Sequence, residues 1–230
     1  DASSMPNLKS TTLALLAGLL SIMPVAAEPR FAWHRSGAPT AADTLAGRIA
    51  PPAGFVRVTA APGSWAEWLR ALPMKPDGAP VLLYTGARKW RQDVHAAVVD
   101  IDTGNRDLQQ CADAIMRLRA EWRYASGRAR EIAFDDTDGK RLRFESVAAK
   151  DYAGFRRYMT RVFAYAGTYS LARELVPADP RTLAIGDVFI KGGFPGHAVL
   201  VADLVEHPLT RERRFLLLQS YMPAQEVHVL

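Results

Sequence analysis

The sequence predicts a single α+β domain in which an antiparallel sheet packs against helices. Apolar residues make up 49% of the 230 positions and charged residues 23%, a composition that is sufficient to bury a core. Helical repeats of apolar residues and strand-like alternating segments both occur along the chain. No internal repeat and no shift in composition divides it, so we assign residues 55–230 to one domain.

The N-terminal residues have the pattern of an export signal. Residues 5–27 carry one lysine, then an apolar run, then small residues at Val25-Ala26-Ala27, where a signal peptidase would cut. A transmembrane anchor is the alternative, but the run is shorter than the ~20 apolar residues that span a bilayer, and Pro24 lies near its end. We therefore expect signal cleavage and an exported protein, periplasmic or extracellular, with no stable transmembrane segment afterwards. The four residues before Met5 do not fit a native start, and we interpret them as a tag or an upstream read-through.

The charge of the chain restricts its partners. The formal net charge is +5, and removal of residues 1–27 leaves it unchanged because Asp1 and Lys9 are lost together. A basic exported protein is attracted to anionic surroundings, so a cell-wall peptide or another anionic envelope component is the expected partner. The sequence contains no Gly-rich phosphate loop and no nucleic-acid-binding motif, so nucleic acid is not expected.

The first half of the domain is predicted to contain short elements. Residues 28–54 have little periodicity and form a loosely ordered lead-in. A short strand follows, and then a helix that opens with Ser64 and Glu67 as a capping box. Residues 81–85 and 95–101 read as two strands of a hairpin.

The second half is predicted from turn and cap signals. Thr137-Asp138-Gly139 lies between two alternating segments and indicates a second hairpin. Asp151 opens a helical repeat over residues 151–175 that Gly167 interrupts, and strands follow to the end of the chain. Because the chain stops at Leu230 on a strand-like segment, we expect the native protein to continue beyond it.

Cys111 is the only cysteine, although an oxidising compartment normally favours paired cysteines. It is therefore buried and inert, joined to another molecule, or a reactive thiol. Asn105 and Asp107 are both good N-caps, and a helix capped by Asp107 would place Cys111 just past the first turn, near the positive end of the helix dipole.

His197 begins an apolar strand directly after a glycine-rich turn, whose glycines allow a close approach of the backbone: Gly192, Gly193 and Gly196. If this strand pairs with the next one so that residue 203 faces residue 213 or 214, residue 197 comes opposite residue 219 or 220. Gln219 or Ser220 would then orient the imidazole.

Structural explanations compete with these chemical ones. Cys111 begins an apolar stripe at helical spacing that continues through Ile115, Leu118 and Trp122, and free cysteine is among the most buried residue types. On spacing alone, an inert core thiol is favoured. His95, His197 and His228 could in principle meet around zinc, but the chain has no HExxH and no close ligand pair, so we expect no metal and no cofactor. Trp90, between Lys89 and Arg91, is interpreted as part of a charged hairpin tip.

The order of cysteine, histidine and polar residue is similar to that of papain-like cysteine hydrolases. In particular, the segment "GDVFIKGGFPGHAVLVADL" resembles the histidine segment of the NlpC-type cell-wall peptidases. The resemblance implies a papain-like fold in which Cys111 is the nucleophile, His197 the base and Gln219 the orienting group. The Cys111 backbone N–H, with Gln109 or Gln110, would form the oxyanion hole. Residues expected to assist in oxyanion or substrate binding are Gly193, Gly196 and Ser220.

A second resemblance covers nearly all of the mature chain. The segments "DLQQCADAIMRLRAEW", "YAGTYSL", "GDVFIKGGFPGHAVLV" and "QSYMPAQEVHVL" resemble an uncharacterised bacterial exported family, domain of unknown function number forty-eight forty-six, which implies no reaction. A permuted papain-like acyltransferase is disfavoured, because such enzymes have the histidine before the cysteine.

The leading hypothesis is an exported papain-like thiol hydrolase that cleaves an amide bond in cell-wall peptides. The alternative is a noncatalytic envelope- or wall-binding module on the same fold, with Cys111 buried. The first requires an accessible and acidic thiol, and the second a thiol that reacts only after unfolding.

Overall fold

The computed structural model describes residues 30–34 and 38–230. The predicted signal peptide, residues 1–27, lies outside these ranges. Among the described residues, no helix combines the length and the apolar character that crossing a membrane requires.

The described chain contains five α-helices and eight β-strands. The helices are α1 (Leu45–Arg48), α2 (Trp65–Arg70), α3 (Cys111–Ala125), α4 (Tyr152–Tyr165) and α5 (Thr168–Glu174). The strands are β1 (Val56–Arg57), β2 (Ala97–Val98), β3 (Ala133–Asp135), β4 (Arg141–Arg143), β5 (Val188–Lys191), β6 (His197–Glu206), β7 (Arg213–Gln219) and β8 (His228–Val229).

Six of the strands form one antiparallel sheet built around β6. The order is β1-β6-β7-β8-β2, and β5 also pairs with β6. β5 lies along residues 197–200, at the start of β6, whereas β1 pairs with residues 205–206 at its end. Strands β3 and β4 form a separate hairpin. The prediction of a mixed α+β domain with an antiparallel sheet is therefore confirmed.

Helix α3 is the centre of the core because it is covered on two sides. One side carries the predicted apolar stripe and packs in a cluster with the inner face of β6, including Ala198, Leu200 and Ala202. The other side packs in a second cluster with α4 and the β3–β4 hairpin. A helix that is buried nearly all round must satisfy any charge that it carries inside the protein.

Four local predictions are confirmed, although the capping box at Ser64 is only half formed, because the Glu67 carboxylate accepts from the Gly63 backbone N–H and not from that of Ser64. The Ser64 hydroxyl accepts a hydrogen bond from the Glu67 backbone N–H at 3.2 Å, and Asp151 accepts one from Gly154 at 2.8 Å. Gly167 separates α4 from α5, and residues 136–140 form the turn of the β3–β4 hairpin.

The predicted hairpin of residues 81–85 and 95–101 is wrong. Residues 81–85 form only isolated bridges, and β2 pairs with β8 at the other end of the chain. The Glu226 carboxylate accepts a hydrogen bond from the Leu82 backbone N–H at 3.1 Å, and the Gln92 side chain bonds both backbone groups of Val81 at 3.0 Å. The backbone of this segment is instead hydrogen-bonded to Ala87, Lys89, Ala224 and Glu226, and the side-chain contacts add to these bonds.

The lead-in is also more ordered than predicted where the structure describes it. Residues 45–48 form helix α1, and the side chain of Leu45 is fully buried. The Arg57 guanidinium donates to the carbonyl oxygens of Ala46 and Ile49 at 2.9 and 2.5 Å, which attaches this segment to the sheet.

A fully buried arginine joins α3 to the loop that precedes it. The Arg117 guanidinium contacts Glu121 at 2.5 Å, Gln109 at 3.0 Å and Asp102 at 3.2 Å. It also donates to the Tyr152 hydroxyl of α4 at 3.3 Å. Burial alone would lower the pKa of Arg117, but the Glu121 and Asp102 carboxylates raise it, so the guanidinium is charged.

We expect Arg117→Met to destabilise the protein by about 3–5 kcal/mol, because it leaves the buried Glu121 carboxylate without its cation. Urea unfolding monitored by circular dichroism measures this change. The matched control is Arg130→Met, at a side chain that is 90% exposed, which should change the free energy of unfolding by no more than about 0.5 kcal/mol. Equal effects of the two substitutions would show that the buried network contributes little.

Candidate functional site

Cys111 is the first residue of α3, with Gln110 as the N-cap. The predicted caps Asn105 and Asp107 are therefore wrong. Asp107 cannot cap the helix because its carboxylate accepts hydrogen bonds from the backbone N–H of Ala224 at 2.6 Å and from the Gln110 side chain at 3.0 Å. Because α3 begins at Cys111 itself, the thiol lies closer to the helix N-terminus than predicted, where the helix dipole favours a thiolate.

The environment of the Cys111 thiol nevertheless opposes ionisation. The residue is only 6% exposed, and it begins the buried stripe that the spacing predicted. Burial raises the pKa of the thiol, and the Asp113 carboxyl adds to the rise, while the backbone N–H groups of Ala112 and Ala198 lower it in part. The structure therefore shows a neutral thiol rather than the accessible, acidic one that the leading hypothesis required.

The backbone next to His197 approaches this thiol. Ala198, the next residue in the chain, supplies a backbone N–H that stabilises the Cys111 thiolate, so the start of β6 meets the start of α3. The His197 Nε2 atom lies 3.0 Å from Gln219 Oε1. Its Nδ1 atom is buried and has no hydrogen-bond partner among the described residues. The ring also contacts the edge of Tyr221, with centroids 5.1 Å apart.

The structure brings Gln219 to His197 as predicted, but through a different register. Residue 203 pairs with Leu216 rather than with residue 213 or 214, and an irregularity between Val201 and Asp203 shifts the pairing so that Leu200 faces Leu218. Continued to the start of β6, this register sets residue 197 opposite residue 221. Gln219 lies two residues away on the same face, within reach of a diagonal contact.

A further histidine lies behind Gln219. Strand β8 pairs His228 with Gln219, and the His228 Nε2 atom lies 3.2 Å from Gln219 Nε2. The same Nε2 atom lies 3.4 Å from Lys89 Nζ, and His228 Nδ1 lies 2.8 Å from the Glu226 carbonyl oxygen. The sequence does not predict these contacts of His228, because the pairing of a two-residue strand leaves no periodic signal.

The other polar residues predicted for the site are engaged elsewhere. Ser220 is fully buried and donates to the carbonyl oxygen of Gln225 at 2.7 Å. The side-chain oxygen of Gln109 accepts from Arg117, and the Gln110 amide donates to Asp107. The side chains of Gln109 and Gln110 are therefore bound within the protein, and their part in an oxyanion hole stays a prediction.

The glycines of the turn before His197 permit close packing on α5. A Cβ atom on Gly196 would lie 2.1 Å from the Thr168 hydroxyl, and Gly193 has a φ of +141°. The Thr168 hydroxyl donates to the Gly193 carbonyl oxygen at 3.0 Å. The two glycines therefore determine the path of the turn, whereas direct contact with a substrate stays a prediction.

The three histidines do not form a metal site. Within residues 30–34 and 38–230, no group of three or more histidine, cysteine, aspartate or glutamate side chains has the arrangement that could hold a metal ion. The rings of His95 and His228 lie 6.0 Å apart, and His197 contacts Gln219 instead.

Asp113 is a buried acid two residues after Cys111. Its Oδ2 atom accepts from the Gln110 backbone N–H at 3.2 Å, and its Oδ1 atom has no partner within the described part of the chain. Burial raises the pKa of this carboxyl well above its usual value. The folded protein therefore binds a proton here more tightly than the unfolded chain does.

We expect this acid to make the protein less stable as the pH rises. The folded pKa of Asp113 exceeds the usual value of 3.8, so its contribution to stability is fully present below that value and is lost as the pH rises towards the folded pKa. Chemical unfolding at a series of pH values should show a shallower decline in Asp113→Asn than in the wild type. An unchanged slope would contradict the assignment, and Asp138→Asn in the β3–β4 turn is the control.

Comparison with known proteins places this arrangement in a family. The family model described as domain of unknown function (4846) matches residues 45–150 and 145–230, and the candidate residues lie within these matches. No curated protein and no solved structure matches significantly. Because the matched residues include most of the chain, the protein belongs to the family of domain of unknown function 4846.

Proposed function

We propose that the protein is a papain-like thiol hydrolase that cleaves an amide bond in cell-wall peptides. Cys111 is the nucleophile, His197 the general base and Gln219 the group that orients the imidazole. One observation carries the proposal: the His197 ring is bound to Gln219 through Nε2, while its buried Nδ1 atom has no partner among the described residues.

The contact with Gln219 determines which ring nitrogen acts as the base. An amide oxygen only accepts hydrogen bonds, so His197 Nε2 must carry the proton in this contact. In the neutral ring, Nδ1 is then an unprotonated acceptor. The backbone of the next residue, Ala198, reaches the Cys111 thiol, so this acceptor belongs to the segment that meets the nucleophile.

The neutral thiol requires such a base. Because the pKa of Cys111 is raised, little thiolate exists before the substrate binds. During attack, the sulfur forms a bond to the carbonyl carbon and His197 Nδ1 takes the thiol proton. The imidazolium then donates this proton to the leaving amine, and the acyl group on sulfur is released by water, which His197 activates in the same way.

Two features of the fold stabilise the charges that develop. The carbonyl oxygen becomes negative beside the N-terminus of α3, where the Cys111 backbone N–H and the helix dipole favour an anion. The imidazolium becomes positive beside Gln219 Oε1, which accepts its other N–H. The order of helix-borne cysteine, strand-borne histidine and polar residue on the next strand supports a papain-like fold.

The choice of substrate rests on location and charge. The predicted export and the net charge of +5 favour an anionic envelope component. Tyr221 and Met222 lie next to the site along the chain and are 46% and 44% exposed, so they provide an apolar surface beside His197. Because Cys111 itself is 6% exposed, neighbouring side chains must move to admit a substrate.

We expect the full chain to release new free amino groups from purified bacterial peptidoglycan, measured by amine derivatisation. Cys111→Ala should reduce the rate to background. His197→Ala should reduce it by about 10²–10⁴-fold, the usual contribution of a general base. His207→Ala, at the opposite end of β6, is the matched control and should retain activity. Release that is the same in Cys111→Ala and the wild type would exclude the mechanism.

The alternative, a noncatalytic binding module, is favoured by the buried thiol and by a groove away from Cys111. A groove of about 580 Å³ follows α3 and contains the side chains of Arg119, Arg123 and Arg141 together with Glu174 and Asp187. Arg119 contacts the ring of Trp122 with its guanidinium carbon 4.4 Å from the centroid. Such a groove suits an anionic ligand that undergoes no reaction.

Iodoacetamide labelling distinguishes the two functions. For the hydrolase, native Cys111 is labelled, the rate increases with pH to an apparent pKa above that of an ordinary cysteine, and His197→Ala slows it because the base is lost. For the binding module, labelling occurs only in denaturant and the histidine substitution has no effect. Mass spectrometry of the intact protein measures both.

A further inference from the structure

His228 has the contacts of a neutral, oriented imidazole. It is fully buried on β8, and its Nδ1 atom lies 2.8 Å from the Glu226 carbonyl oxygen, an acceptor. Nδ1 therefore carries the proton. Its Nε2 atom faces two groups that only donate, the Gln219 amide nitrogen at 3.2 Å and Lys89 Nζ at 3.4 Å.

The surroundings of His228 keep it neutral. Burial lowers its pKa to about 4, and electrostatic repulsion from Lys89 and His95 acts in the same direction, against the hydrogen bond to the Glu226 carbonyl. The carboxylate of Glu226 does not offset this, because it is bound to Lys75 at 2.5 Å and to the Leu82 backbone N–H. Near neutral pH, the Nε2 lone pair is thus available to accept.

The Gln219 amide lies between two imidazole rings. Its oxygen and nitrogen have nearly the same shape, so packing alone does not select which one faces His197. The lone pair of His228 does select the orientation of the amide, because of its two ends only the NH₂ group can donate to that lone pair. The amide oxygen is then left for His197, where it requires the proton on Nε2 and leaves Nδ1 unprotonated.

We propose that His228 is a positioning residue that orients the Gln219 amide and thereby makes His197 Nδ1 the base towards Cys111. This inference rests on the hydrolase function proposed above. His228 contacts neither the thiol nor the reacting atoms, and it acts only through Gln219.

Protonation of His228 at low pH would remove its present contact with Gln219. When His228 is protonated, both of its ring nitrogens donate, so it no longer accepts from the Gln219 NH₂ group. The amide then turns its oxygen to His228, and the contact that orients the His197 ring is lost. The groups that face His228 in this change are Lys89, His95, Gln219 and the Glu226 carbonyl oxygen.

The test reads the tautomer of His197 directly in the full chain. Protein with ¹⁵N-labelled histidine is measured at neutral pH by long-range ¹H–¹⁵N correlation in the wild type, His228→Met, His228→Gln and His95→Gln. We expect the Nε2–H form of His197 in the wild type, and an increase of the Nδ1–H form in His228→Met. His228→Gln should restore the wild-type form, because its side-chain oxygen reaches about as far as the imidazole Nε2 atom.

Several outcomes would overturn the inference. It fails if His197 has the same tautomer in His228→Met as in the wild type, or if His95→Gln, which removes a neighbouring ring with no bond to Gln219, changes it equally. It also fails if His228→Gln behaves like His228→Met. Thermal unfolding shows whether each variant is folded, and the glutamine variant still tests the proposal if the methionine variant is not.

Measurements of activity distinguish a failure of the positioning role of His228 from a failure of the proposed hydrolase function. In amine release from peptidoglycan, His228→Met should lower kcat by about 10–100-fold, as substitution of orienting outer-shell groups does, with little change in KM and with rescue in His228→Gln. If no variant, including the wild type, releases amines but the tautomer changes as expected, the hydrolase proposal fails and the positioning role stands. If the wild type is active and His228→Met keeps its kcat and tautomer, only the positioning role fails.

Discussion

The buried charge of Arg117 is the constraint on which the site depends. A guanidinium with no exposed surface must have its hydrogen bonds satisfied, and its partners come from the preceding loop, from its own helix and from α4. The partner that matters most for the site is Gln109, because it lies two residues before Cys111. The carbonyl oxygen of Gln109 in turn lies 3.3 Å from the hydroxyl oxygen of Ser220, which is next to Gln219 in the chain. The start of α3 and the end of β7 are thus held through one loop, although more than a hundred residues separate them.

The contact between His197 and Gln219 also requires the irregularity in β6, because this irregularity determines which side chains of β6 and β7 lie on the same face of the sheet. Near the turn, Glu206 pairs with Arg213, and this register continued without a shift would set His197 opposite residue 222. Gln219 would then point to the other side of the sheet, since a shift of one residue reverses every side chain. The extra residue between Val201 and Asp203 corrects the parity. Asp203 follows directly, and its buried carboxylate binds Arg57 and Arg70 at 2.7 Å each.

Sequence reasoning succeeded where the signal is local. The Ser64 and Asp151 caps, the Asp-Gly turn and the break at Gly167 each depend on a few neighbouring residues, and each is present. The contact of His197 with Gln219 followed from strand order, which is correct even though the predicted register is not.

The predictions that fail depend on residues that are distant in the chain. Asp107 reads as a helix cap because nothing nearby shows that its carboxylate binds Ala224, and the hairpin of residues 81–85 failed because its partner is the end of the chain. For His228 the sequence suggests only a metal ligand, since its pairing with Gln219 is visible only in the sheet.

The raised pKa of Cys111 changes the chemistry that the site can perform. A cysteine–histidine pair that is ionised at rest needs an exposed or positively charged environment, whereas here burial and the neighbouring Asp113 disfavour the thiolate. In the proposed reaction, charge separation would occur during attack, when the N-terminus of α3 would face the oxyanion and Gln219 the imidazolium. Both groups are already in place in the structure, so neither would have to move to stabilise these charges. The proposed reaction would resemble that of a serine hydrolase in its use of a neutral nucleophile, and the orientation of His197 would matter more to it than the acidity of Cys111. The role proposed for His228, which holds the Gln219 amide through its buried contacts, follows from this dependence on the orientation of His197.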